Sequence, residues 1–492
     1  MTGSDAPTAK LAPWLVALLA TYAYFVGAPA WNQNSRLALT RAMVEDGTFA
    51  IDPYEATTGD KSFRAGHYYC DKAPGASWLA VPAYAGLYAF RRVTGGELPD
   101  VHVRSLDPRD RAAGREPDLD ARLPGDRLRY NAAYRLALYV ATLLSAGALC
   151  WLAAIAVARV VARDYPVTVA RARAVAIVWA VATPALAYAT SLYGHATCGA
   201  LLLLAYERLG RASPTSRDAA WFGTFAGLAV VTEYPAAPIA AALWAWGAYR
   251  HGMGFAWRSA AWAGVWAALL AAYHTIAFGG PLATGYDFLV TAEFAEGMAV
   301  RYGIGAPDPA VALQLLFGTY RGLFYVSPVL LLAAWGLGRD AWRGEGPARV
   351  HARVAIAIAV YYLLLNAGYY MWDGGSAVGP RHMVPALGFL AFGLVTAWRS
   401  APRATVVLAM LSALQIWIVA SVGPEAPRAG DPIWEYAWGR LWAGDDGQGA
   451  TNLGRWLGLP GLLSLAPLAA IWWWALGQKR PEMPSPAERP SK

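Results

Sequence analysis

The sequence predicts an all-α, polytopic transmembrane protein, and three observations carry that prediction. Of 492 residues, 57% are hydrophobic and 15% charged, against about 25% charged in ordinary soluble domains. The apolar residues gather into long runs, as membrane helices need about 20 of them to cross the hydrocarbon layer. Twenty-three Trp and 26 Tyr suit aromatic belts at the two membrane interfaces. A soluble enzyme, a secreted disulfide scaffold and a disordered chain are excluded.

Taken in order, the runs that read as helices are 11–30, 132–158, 172–190, 196–209, 217–231, 235–249, 258–277, 320–337, 351–367, 383–397, 403–421 and 456–477. The first is too long for the apolar core of a cleavable signal peptide and reads as a retained helix. A further run, 75–90, follows a polar loop, and orientation decides its place. If it crosses, the loops carrying Arg159/Arg163, Arg208/Arg211, Arg250/Arg258, Arg339/Arg343 and Arg399/Arg403 fall outside. If it lies along the surface they fall inside, as the positive-inside rule requires. The expectation is therefore about 12 spans in a single domain, 1–478, with both termini cytoplasmic and 75–90 membrane-associated outside. The outer segments are then 31–131, the turn at Tyr193–His195, 279–319, 368–382 and 422–455. Within the first, 91–131 mixes nine Arg with eight acids and is partly ordered at most. The tail 479–492 reads as disordered.

The formal charge of +8 does not point to nucleic acid, because the Arg residues sit mostly in short inter-helix loops. Their dominance over Lys, with abundant Ala and Gly, is the composition of a GC-rich bacterial genome. The three cysteines cannot form a framework. There is no Walker motif, glycine-rich nucleotide loop, tandem repeat or metal-spaced Cys/His set, and a divalent metal is left open.

Chemistry concentrates in the outer segments. After the first helix come Gln33-Asn34-Ser35-Arg36, with Ser35 placed to cap a short amphipathic helix reaching about Asp46. Then follow Asp52, Asp60 and the run Tyr69-Cys70-Asp71-Lys72-Ala73-Pro74-Gly75. Adjacent carboxylate and ammonium groups at the membrane surface can hold a polar head group and present a base. The same residues also fit a solvated turn. Arg321 and Arg381 sit at outer helix ends, where a guanidinium pairs bidentately with phosphate or anchors a helix at the interface. Tyr370 and Trp372 offer aromatic rings and Asp373 a carboxylate, just ahead of His382. His195 and Glu233 lie at two further outer turns. An acid at membrane depth is costly unless used or paired.

The first outer segment resembles the first periplasmic loop of GT-C glycosyltransferases, in the branch of the protein O-mannosyltransferases and lipid A aminoarabinose transferases. Members there follow the first helix with an acidic pair and an Arg, a short juxtamembrane helix, a glycine turn and an aromatic–acid–Lys–Pro–Pro run. Here Ser35-Arg36, helix 37–46, Gly47 and Tyr69-Cys70-Asp71-Lys72-Ala73-Pro74 keep that order. The stretches Phe278–Tyr286, Tyr320–Pro328 and Tyr369–His382 are similar to bacterial proteins of the superfamily. One departure is serious: Gln33-Asn34 stands where the family carries its acidic pair.

The resemblance implies an inverting, inner-membrane transferase that moves a sugar from a polyprenyl-phosphate donor to an outer lipid, glycan or protein acceptor. The donor phosphate would be held by Lys72 with Arg381 or Arg321. Asp71, or failing it Asp60, would act as the base, ahead of Asp46 and Asp52. Tyr69, His195, Glu233, Tyr370, Trp372, Asp373 and His382 would bind sugar or acceptor. The rival expectation, supported by the missing acidic pair, is a non-catalytic carrier or flippase for a lipid-linked saccharide, or a degenerate GT-C member that only binds one.

Overall fold

The computed structural model describes residues 12–103, 128–444 and 449–478, and these are almost entirely helical. Each of the twelve apolar runs forms helix over most of its length. Among the described residues, five helices are long and apolar enough to cross a membrane: Ala132–Asp164, Met253–Phe278, Gly346–Ala367, Arg381–Ser400 and Pro402–Val422. Pro13–Tyr24 and Gly461–Gly477 are shorter apolar helices. Helix Met253–Phe278 leaves Trp257, Trp262, Leu269 and Ile276 exposed, a flank suited to hydrocarbon rather than water. The chain is a multi-pass helical membrane protein.

Small residues let the helices meet closely. A Cβ on Gly336 would lie 2.1 Å from the Gly393 carbonyl oxygen, so helices 329–343 and 381–400 touch backbone to backbone there. Without a hydrophobic drive between helices in lipid, such contacts are what holds a bundle. Helix Ser216–Thr232 packs on both 194–209 and 253–278. It starts in a capping box, the Thr215 hydroxyl accepting from the Asp218 amide while the Asp218 carboxylate accepts from the Thr215 amide. Arg211 and Arg208 pair with the same Asp218 at 2.8 and 3.3 Å. That ionic end of the bundle is opposite the end described below.

Helix Pro13–Tyr24 stops short of its apolar run, because Phe25–Val26 leaves the helix to pair antiparallel with Thr451–Asn452. Next comes Trp31–Arg41, continued by a wider turn to Asp46 and closed by Gly47 in the left-handed region. Ser35 is therefore not a cap. It lies inside this helix, fully buried, and its hydroxyl donates to the Asp60 carbonyl at 2.6 Å. A tertiary partner takes the oxygen that local spacing offers to a helix start.

Strands Lys61–Arg64 and His67–Cys70 form an antiparallel hairpin that delivers Asp71 and Lys72 to the start of helix Gly75–Thr94. This helix has 20 residues yet is not among the five apolar enough to span. It lies against 31–41 and 132–142, burying Ala76, Ser77, Ala80 and Tyr84 and exposing Pro82, Gly86 and Phe90. Beyond it, Val101–Val103 pairs with Leu128–Tyr130. The charge-mixed stretch between them and the tail 479–492 lie outside the described residues.

Candidate active site

Lys72 is the first centre of charge. Its ammonium lies 2.9 Å from Asp71 Oδ2 and 3.3 Å from Asp60 Oδ2. Burial works against that charge, but the two carboxylates outweigh it and hold Lys72 above its ordinary value. Asp71 is 1% exposed; burial lifts its carboxyl, Lys72 pulls it back, and it stands at about 6. Gly285 presses on this turn: a Cβ there would lie 2.6 Å from the Asp71 Cα. The 279–291 segment thus closes over the hairpin, fixed by Ser62 donating to the Gly285 carbonyl at 2.6 Å.

Helix ends supply the second group. Arg36, buried in helix 31–41, reaches Glu233 Oε1 at 3.3 Å, just past the end of helix 216–232. His195, at the start of helix 194–209, places Nδ1 3.5 Å from the same oxygen. Gly194 permits this approach, because a Cβ would sit 2.0 Å from that oxygen. The His195 and His382 rings meet edge to face at 5.2 Å. Arg381 begins helix 381–400 with its guanidinium 5.8 Å above the Tyr193 ring. No carboxylate among the described residues lies within ion-pair distance of it. The fields of Arg381 and Lys72 both reach Glu233, His195 and His382, so the two groups form one cluster. Four of its buried polar atoms, Asp71 Oδ1, Arg36 Nε, Arg381 Nε and His382 Nε2, have no hydrogen-bond partner among the described residues.

The third part was not legible in the sequence. Gln33 donates through Nε2 to Glu425 Oε1 at 2.8 Å and accepts the Leu192 amide at 3.1 Å. Asn34 donates to the Thr57 carbonyl and the Tyr130 hydroxyl, and accepts from Tyr134. Asn34 is therefore a structural bracket, whereas Gln33 holds a carboxylate. Glu425 follows Gly423-Pro424 at the end of helix 402–422, and it lies close to Tyr193 and Arg381. Burial pushes its carboxyl up to about 7, against the bonds from Gln33 and Tyr193.

The other expected site residues make contacts of their own at the edge of this cluster, where the Lys72 field reaches Tyr370 and the Arg381 field reaches Arg321. Arg321 is fully buried and makes five hydrogen bonds, to the carbonyls of Tyr320, Asp373, Gly375 and Pro427 and to the Tyr320 hydroxyl. The Asp373 carboxylate accepts from the Tyr320 hydroxyl and the Gly375 amide, and Trp372 sets its ring edge-on to Tyr320. Tyr370 packs against Gly297 and Gly303, while its neighbour Tyr369 reaches the His382 ring at 5.3 Å. Tyr69 turns into a small apolar core with Tyr273 and Phe278. Asp46 accepts from the Tyr54 hydroxyl, and Asp52 from the Tyr68 amide. Among the described residues no group of three His, Cys, Asp or Glu could hold a metal ion.

No family model matches the chain, and no curated protein matches it. Among solved structures it is similar to ArnT from Cupriavidus metallidurans in the apo state, with a TM-score of 0.45 and 13% identity. The same protein bound to undecaprenyl phosphate gives a TM-score of 0.47 and 14% identity. Both comparisons cover 94% of this chain and 73% of that chain.

Proposed function

We propose that the chain is a GT-C-type glycosyltransferase of a bacterial inner membrane, taking sugar from a polyprenyl-phosphate donor at its outer face. The observation that carries this reading is Arg381, a guanidinium with no ion-pair partner among the described residues, set with His195, His382, Tyr193 and Glu233 at helix ends. A group of that kind suits a phosphate arriving sideways from the bilayer, because a guanidinium fork matches its oxygens. Lys72 adds a second cation. Asp71 and Asp60 hold that ammonium in place, a role that the burial of Asp71 suits better than meeting an acceptor from outside. The leaving phosphate departs already charged, so cationic stabilisation matters more than a general acid. The acceptor, whether lipid, glycan or protein, enters from the polar side.

Undecaprenyl phosphate is the probe for this reading. The purified protein should bind it, and Lys72→Met should weaken binding about tenfold, roughly one charge-assisted contact. The effect stays moderate because two carboxylates already share the Lys72 charge. Binding unchanged in Lys72→Met would remove that residue from the phosphate site. Binding without sugar release from any polyprenyl-phosphate donor would favour the carrier.

Orientation has its own test. A cysteine at the exposed Ala306 should react with an impermeant maleimide added outside intact cells, and one at the exposed Glu345 should not. The three native cysteines are buried, so background labelling is low. The reverse pattern would put the cluster on the cytoplasmic side and end the proposal for an outer active site.

A further inference from the structure

We infer that Glu425 is the group that takes the acceptor's proton, standing in space where Gln33 leaves no base. The inference rests on the transferase reading above. Four carboxylates line the cluster. Asp60 and Asp71 are paired with Lys72, and Glu233 with Arg36. Glu425 alone among these four has no cation at ion-pair distance; its hydrogen-bond partners, Gln33 and Tyr193, are neutral donors. It shares intermediate burial with Glu233, whereas Asp71 and Asp60 are buried, so what separates it from Glu233 is the missing cation. A carboxylate bound tightly to a cation is a poor proton acceptor, because the cation stabilises the ionised form it must leave. One held by neutral donors keeps its basicity.

The groups that face Glu425 are Gln33 from helix 31–41, Tyr188 and Tyr193 from the 185–193 segment, and Arg381 from helix 381–400. Arg381 makes the arrangement productive, because its field reaches Glu425 and the phosphate it would hold shares a cluster with the proton acceptor. The acceptor hydroxyl oxygen bonds to the anomeric carbon as the bond from that carbon to the phosphate oxygen breaks. The bonding pair leaves on the phosphate, and the hydroxyl proton passes to Glu425. Polyprenyl phosphate and the glycosylated acceptor are the products, and Glu425 later gives its proton to water. A carboxyl at about 7 is protonated below that pH and cannot accept, so turnover should rise with pH through about 7 and level off above it.

The test uses wild type, Glu425→Gln, Glu425→Asp and Asp71→Asn in native membranes. The probes are polyprenyl phosphates carrying radiolabelled mannose, glucose, galactose or N-acetylglucosamine, with transfer and release of label measured from pH 5 to 9. Undecaprenyl phosphate affinity is measured in parallel. Glu425→Gln should bind undecaprenyl phosphate within about twofold of wild type while turnover falls about 100-fold or more, the usual scale of general-base help. Glu425→Asp should recover part of the rate. Asp71→Asn should lose affinity before it loses turnover at saturating donor. Glu425→Gln turning over within threefold of wild type, or keeping the acid limb near pH 7, would overturn the inference and leave the transferase reading standing. Wild type that turns over none of the donors would overturn both.

Discussion

Arg381→Ala should weaken undecaprenyl phosphate binding about 100-fold or more, the largest loss of affinity expected from any single substitution in the protein. A guanidinium gripping phosphate makes two charge-assisted hydrogen bonds worth about 1.5–3 kcal/mol each, and losing both exceeds two orders of magnitude. Arg381→Lys should fall between, because Lys keeps the charge and loses the fork. The geometry explains why this Arg outranks the others. Arg36 is committed to Glu233, Lys72 to Asp60 and Asp71, and Arg321 to backbone carbonyls. Arg381 lies over the face of Tyr193 with its stem against Gly374, and its buried Nε has no partner among the described residues. Affinity is best read by titration in detergent, with thermal unfolding as the control for insertion and folding. Equal affinity in wild type and the Ala variant would make Arg381 an interfacial anchor.

What the sequence made legible follows from physics that acts locally. Hydropathy locates helices because lipid forces every apolar run to satisfy its own backbone, and the twelve runs form helix. The failure of 75–94 to qualify as a span comes from the same arithmetic, since Pro82, two Arg and several small residues dilute it. The Asp71-Lys72 pair was legible for a similar reason, being adjacent in the chain and joined in space. Long-range partners were not. Gln33 and Glu425 bond across 392 positions, and Arg36 reaches Glu233 across 197. No local spacing encodes either pairing. Gln33-Asn34 therefore read as a lost acid, when Gln33 in fact carries a carboxylate brought from the other end of the chain. Ser35 read as a cap for the opposite reason: a local rule applied where a distant carbonyl competes for the hydroxyl. One signal was available, because a loop that places Gly423-Pro424-Glu425 directly after an apolar helix sets an acid at the helix end.

The same distinction governs Arg321, whose replacement should cost stability first and turnover second. Its guanidinium ties together three inter-helix segments, at Tyr320, at Asp373 and Gly375, and at Pro427. It is stacked on the Tyr320 ring at 3.7 Å. Arg321→Met fills much of the same volume and removes a buried charge, but it leaves the loop carbonyls without a donor. Each unsatisfied acceptor costs about 1–3 kcal/mol, so several together should lower the unfolding temperature sharply and reduce the yield of folded protein. Arg321→Lys should be milder, because an ammonium can still serve some of those carbonyls. Pro427 lies two residues beyond Glu425, so loosening the Arg321 tie frees the loop that sets the proposed base. In the folded fraction, undecaprenyl phosphate affinity should stay within about twofold of wild type, two charge-assisted bonds fewer being worth far more. Turnover should fall, and raising the donor concentration should not restore it. An Arg321→Met variant that unfolds at the wild-type temperature but no longer binds undecaprenyl phosphate would return this residue to the phosphate site.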